Sequence, residues 1–169
     1  PAQYEEMKKY IGEGRWHISG SSWDATDALV PSTESFIRNI MLGQQYYRQE
    51  FGVESTDIFL PDCFGFGWTL PTIASHCGLI GFSSQKLDWR VHPFYGKSKH
   101  PFTIGLWKGI DGSSIMLAHG YDYGRRWNDE DLSENEQLKE LAGRTPLNTV
   151  YRYYGTGDIG GSPTLASVR

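Results

Sequence analysis

The chain has 169 residues, enough for one domain with a core of its own, and its 38% hydrophobic and 21% charged residues are the composition of a soluble globular protein. No apolar run approaches the ~20 residues needed to span a bilayer. A net charge of −4 without basic clusters argues against nucleic acid as the main partner. Two cysteines, Cys63 and Cys77, are too few for a disulfide scaffold.

In chain order, "YEEMKKYI" (4–11) reads as the end of a helix closed by Gly12, and "WHISGSSW" (16–23) alternates as a strand does. The clearest helix is 31–52, capped by Ser32 or Thr33, with Phe36, Ile40, Tyr47 and Phe51 at helical spacing and Gly52 as its stop. "DIFL" (57–60) is a buried strand, "TLPTIASHCG" (69–78) a short helix with Pro71 in its first turn, and "LIGFSS" (79–84) another apolar strand. After a loop from Gln85 to Pro101, "FTIGLW" and "SSIMLAH" flank the turn "KGIDGS" as a hairpin. An amphipathic helix is expected over 129–143 and a last strand over 147–155. The glycine-rich "TGDIGGSP" (156–163) follows, where Ser162 and Pro163 read as the cap and first residue of a helix that barely begins. The expectation is a single domain over 1–169 that belongs to something longer.

Short apolar strands separated by helices predict an α/β fold, a mainly parallel sheet with flanking helices. Such sheets place their sites beyond the carboxyl ends of the strands. Acids collect there: Asp24 and Asp27 after 16–23, Asp62 after 57–60, Lys86 with Asp88 after 79–84, and Asp158 after the last strand. An Asx turn or a helix cap is the competing explanation for each acid. Glycines and aromatics beside Asp62 and Asp158 favour a site there. Two facing carboxylates are the working parts of a glycosidase, and aromatic faces suit sugar rings.

The stretch "IFLPDCFGFGWTLPTIASHCGLIGFSSQKLDW" resembles the signature of glycoside hydrolase family 38, the retaining α-mannosidases. "GRW" with "SSWDATDALVPSTES", then "QQYYRQEFG", "LWKGIDGS" and "YYGTGDIGGSPT", resemble further family blocks in the family's order. The resemblance implies a fragment of the N-terminal catalytic domain, α/β-barrel-like, acting on a mannose-containing oligosaccharide. It implies Asp62 as nucleophile and zinc ligand and Asp158 as general acid/base. Phe64 matches an aromatic of the sugar subsite and Lys86 a basic residue near the nucleophile; Asp88 and Trp89 complete the candidate substrate-binding residues. A zinc-bound Asp62 stays ionised as a nucleophile must, whereas Asp158 needs a raised pKa to arrive protonated.

The family's remaining zinc ligands lie in an upstream His-x-Asp stretch and at a downstream His, and this chain contains neither stretch. The other ligands of the zinc are therefore expected outside it, and the isolated segment is expected to be inactive. The alternative from another class is a non-catalytic carbohydrate-binding or inactive relative. It accounts for the aromatics but not for two acids at strand ends. Strands missing from a barrel leave a sheet edge open, so a homo-oligomer is also expected.

Overall fold

The computed structural model describes residues 1–88, 103–120, 132–144, 146–153 and 165. The chain divides into two compact units, Pro1–Ser83 with Leu106–Met116 and Ser84–Gly105 with Leu117–Arg169. The fold is mixed α/β, a four-stranded sheet with flanking helices.

Helix α1 (Ala2–Gly12) and helix α2 (Thr33–Phe51) fall where the apolar periodicity puts them. Ser32, not Thr33, is the N-cap of α2, its hydroxyl accepting from the Ser35 N–H at 3.2 Å. Gly52 ends the helix in the left-handed region, φ 68°, where a side chain is disfavoured. Phe36, Ile40, Gly43 and Gln44 form the buried stripe of α2. Tyr46 and Phe51, with ring centroids 6.0 Å apart, meet Tyr4 of α1 through the Tyr4–Phe51 contact at 6.1 Å. That aromatic seam joins the two helices.

Strand β1 (Asp57–Phe59), helix α3 (Leu70–His76) and strand β2 (Gly81–Ser84) make a strand–helix–strand unit. β1 and β2 are parallel, with Asp57 opposite Gly81, Ile58 opposite Phe82 and Phe59 opposite Ser83. Ile58, Leu60, Leu79 and Phe82 are buried, so this pair forms the core of its unit. Each such side chain contributes roughly 1.5–3 kcal/mol by leaving water. Strands β3 (Ile104–Lys108) and β4 (Ser114–His119) form the expected hairpin, and the sheet order is β1-β2-β4-β3. Phe66, Phe82 and Trp107 stack edge to face beside it, Phe66 to Phe82 at 5.0 Å and Phe82 to Trp107 at 5.2 Å. The hairpin turn is tied to α3 by Asp111. Its carboxylate accepts from the Thr72 hydroxyl at 2.8 Å and lies 2.9 Å from His76 Nε2.

Three expected elements differ. Residues 16–23 are not a strand: Gly20 turns the chain at φ 76°, and Ser21 N–H to the Asp57 carbonyl, 2.9 Å, is the ladder-like bond to β1. The helix expected over 129–143 begins later. A 3-10 turn, Leu132–Glu134, precedes α4 (Glu136–Gly143), because the Asn135 side chain caps the Leu138 N–H at 3.1 Å. Residues 129–131 lie outside the described residues. Residues 147–153 are irregular rather than a strand, since Asn148 at φ 46° breaks extension.

Candidate active site

The strand–helix–strand unit determines where the chain can do chemistry. β1 ends at Phe59, and Pro61, lacking an N–H, cannot continue a ladder. The turn that follows leaves Asp62 exposed at the carboxyl end of the strand. Leu60 N–H still donates to the Ser83 carbonyl at 3.1 Å, so the sheet holds the backbone up to two residues before the acid.

Asp62 lines a cleft of about 670 Å³. One wall is Phe59 to Phe64, and the other is formed by residues 19–20 and 22–27 with Tyr47 of α2. Among the aromatics lining the cleft, Trp23 is 58% exposed and Phe64 61% exposed, so these two offer faces for an apolar or sugar surface. Trp23 rests edge-on against Tyr46 at 5.4 Å.

The wall of residues 19–27 belongs to no strand, and single main-chain bonds and side chains hold it. The Trp23 N–H donates to the Asn39 carbonyl at 3.0 Å. The Asn39 side chain closes a pair with Asp24, donating to its carbonyl at 2.9 Å and accepting its N–H at 3.1 Å. Asp27 Oδ1 accepts from the N–H groups of Leu29 (2.7 Å) and Val30 (2.9 Å), and these bonds hold its carboxyl below the usual range. Cys63 is buried, and its thiol donates to the Thr26 carbonyl at 3.2 Å, joining one wall to the other. Burial pushes the Cys63 thiol up, so it stays protonated near neutrality.

The structure brings Asp62 and Phe64 together in this cleft. Lys86 and Asp88 belong to the 3-10 turn Lys86–Asp88 after β2, in the second unit. Trp89 and Asp158 lie outside the described residues. Asp27, one of the acids expected after 16–23, lines the cleft, as do Trp23 and Tyr47, which the sequence does not mark as site residues. Within the family-like block "SSWDATDALVPSTES", Trp23 and Asp27 stand in a Trp-x-x-x-Asp spacing, whereas Tyr47 reads from sequence only as a core position of α2.

Among the described residues no group of three or more His, Cys, Asp or Glu could hold a metal ion. A zinc site takes three or four protein ligands, and Asp62 offers one carboxylate. The described residues thus do not by themselves fit a zinc site. Among them, too, no helix is long and apolar enough to cross a membrane.

Residues 1–167 match the glycosyl hydrolases family 38 N-terminal domain. Among curated proteins, the chain is 34% identical over 170 residues to alpha-mannosidase G of Dictyostelium discoideum, covering 99% of this chain. It is 31% identical over 166 residues to alpha-mannosidase 2C1 of Homo sapiens, covering 97% of this chain. The chain spans 15% of the length of each of these relatives. Its fold is similar to that of an alpha-mannosidase from Enterococcus faecalis V583, with a TM-score of 0.62 and 23% identity, over 92% of this chain and 17% of that one. It is also similar to a 4-alpha-glucanotransferase from Thermococcus litoralis, with a TM-score of 0.65 and 12% identity, over 99% of this chain and 25% of that one.

Proposed function

Because the chain belongs to glycosyl hydrolase family 38, whose N-terminal domain it matches over residues 1–167, we propose that it is part of a larger, α/β-barrel-like catalytic domain that hydrolyses terminal α-linked mannose with retention. The observation that carries this reading is the position of Asp62. An exposed carboxylate follows a rigid strand into a cleft of about 670 Å³ that also presents Trp23 and Phe64. The curated relatives are named as alpha-mannosidases, which supports mannose as the sugar.

In the proposed reaction Asp62 attacks the anomeric carbon, and the bond to the leaving oxygen breaks as Asp158 protonates it. A covalent glycosyl-aspartate forms. Asp158, now a carboxylate, takes a proton from water, which attacks the same carbon and releases Asp62. Phe64 and Trp23 stack on the sugar, while Lys86, Asp88 and Trp89 complete the proposed substrate contacts. Zinc belongs to the proposal as a group held by Asp62 together with ligands from outside this chain, and it would supply Lewis-acid stabilisation of the bound sugar's hydroxyls.

The test is hydrolysis of an aryl α-mannoside by the full-length protein, with zinc present, beside its Asp62→Asn variant. The expected result is activity in the wild type and a loss on the order of 10³-fold or more in kcat for the variant. A variant that keeps a tenth of the wild-type kcat removes Asp62 from the role of nucleophile. A wild type that hydrolyses no α-mannoside or related glycoside, while still binding the sugar, makes the domain a carbohydrate-binding or inactive relative.

A further inference from the structure

Asp57, the first residue of β1, lies five residues before Asp62 and is absent from the cleft lining. Its carboxylate is nevertheless committed to the cleft's far wall. Oδ2 accepts from the Ser19 hydroxyl at 2.7 Å, and Oδ1 accepts from the Gly20 N–H at 3.2 Å and the Ser55 hydroxyl at 3.1 Å. Its backbone carbonyl takes the Ser21 N–H at 2.9 Å. Residues 19, 20 and 21 are thus all bonded to this one residue, and they lead directly into Ser22 and Trp23 of the cleft.

The anchor itself is rigid. Asp57 is paired with Gly81 in the parallel ladder, and a Cβ on Gly81 would stand only 3.3 Å from the Asp57 Cβ. The wall is not rigid by its own means, being neither helix nor strand, and it turns at Gly20, φ 76°. A second bond, Tyr47 hydroxyl to the Gly20 carbonyl at 3.0 Å, holds the same turn from α2.

We propose that Asp57 is a positioning residue of the proposed glycosidase: the first residue of β1 holds the Ser19–Trp23 wall while the far end of the same strand delivers Asp62. Both walls of the cleft are then referenced to one strand. No more than about 18 Å of chain separates the residue that holds one wall from the residue proposed to react at the other. The width of the cleft, and with it the distance from Trp23 to Asp62, is set by the carboxylate at position 57. A site built from an irregular segment needs such a support, because small displacements of a binding group are costly.

This inference rests on the mannosidase reading, so its test has two arms, both on the full-length protein. In the first, hydrogen exchange is followed in a peptide covering residues 16–23. Asp57→Ala should speed exchange there on the order of tenfold, and Asp57→Asn should restore protection, since an amide keeps Oδ1 as acceptor and Ser19 can turn its hydroxyl to accept instead. In the second arm, kinetics on an aryl α-mannoside should show KM for Asp57→Ala raised roughly tenfold with kcat little changed, again restored by Asp57→Asn. Ser55→Ala removes the bonds between the Ser55 hydroxyl and Asp57, to Oδ1, the carbonyl and the N–H, while leaving the Asp57 bonds to residues 19–21 in place, and should leave KM and the 16–23 exchange as in the wild type. Unchanged exchange in Asp57→Ala overturns the inference whatever the kinetics. Faster exchange with unchanged KM overturns it as well, leaving Asp57 a purely structural residue. If the wild type hydrolyses no glycoside, the mannosidase reading fails by itself, and the exchange arm alone decides whether Asp57 sets the wall.

Discussion

Gly43→Ala separates helix propensity from packing, because the two predict opposite signs. Gly43 sits in the interior of α2, where alanine is favoured over glycine by about 1 kcal/mol. In this fold, however, a Cβ at position 43 would stand 2.0 Å from the Ser21 carbonyl oxygen and 2.7 Å from the Trp23 nitrogen. Moving that oxygen from 2.0 Å to an ordinary contact at 3.4 Å requires a displacement of about 1.4 Å. No rotamer offers an escape, since the obstacle is backbone. Nor can the helix back away freely. Gln44 is buried and doubly bonded to Ser55, donating to its carbonyl at 2.6 Å and accepting its N–H at 3.0 Å.

Overpacking of this kind costs about 1–3 kcal/mol, and here the upper end applies. After the gain in propensity, a net loss of about 2 kcal/mol is expected. For a domain of 169 residues that corresponds to about 4–8 °C in the midpoint of its thermal transition. The displaced segment includes Trp23, so kcat/KM should fall by as much as about 100-fold. Thermal unfolding of the full-length protein, with exchange in peptides of α2 to identify the transition, measures the first effect, and aryl α-mannoside kinetics the second. A variant as stable as the wild type, or more so, would refute the close approach of α2 to the 19–23 segment.

Two further outcomes follow from the same geometry. Hydrogen bonds from Ser113, His76 and Thr72 hold the Asp111 carboxyl well below the usual range. Its folded pKa lies below its unfolded value, so the stability it contributes is complete above about pH 4 and is lost as pH falls through the folded value. Asp111→Asn should therefore flatten the stability curve between about pH 4 and pH 2, below the ordinary carboxylate value, and equal slopes in urea titrations of the two proteins would count against it. The 169-residue segment expressed alone should self-associate, because β3 closes one edge of the sheet without a further neighbour among the described residues. A stable monomer by size-exclusion chromatography with light scattering would contradict that.

Regular elements were legible from the sequence because their causes are local. Ser32 and Gly52 bracket α2, Pro71 marks the start of α3, and the apolar runs around Ile58 and Phe82 announce buried strands. Position followed as well: a strand–helix–strand unit places its first loop at the carboxyl edge, which brings Asp62 to a cleft with Phe64. The failures share one cause. At 16–23, at 132–135 and at 147–153, backbone groups are satisfied by side chains or turned by a positive φ, through Asp57, Asn135 and the left-handed Gly20 and Asn148. Alternation in the sequence cannot report a partner 38 residues away, as Asp57 is from Ser19.

The same cause explains why the opposite wall of the cleft was the harder half to read. Nearly every buried backbone polar group must find a partner. In β1 and β2 the partner is the neighbouring strand, and this leaves the strand side chains free to serve as core on one face. The 19–27 wall has no such neighbour, so Asn39, Asp27, Asp57, Tyr47 and Cys63 are each spent on holding its backbone or fixing it to the other wall. Polar residues there serve shape first, and their types, two Asp, one Asn, one Tyr and one Cys, look like catalytic material when read one at a time. Asp62 differs in the work its neighbours do: Pro61 ends the strand and Leu60 secures the backbone, so the register that places its carboxylate in the cleft is set before the residue itself is reached. The proposed role of Asp62 as nucleophile rests on that arrangement, an acid delivered by the backbone to a cleft whose opposite wall is held by other side chains.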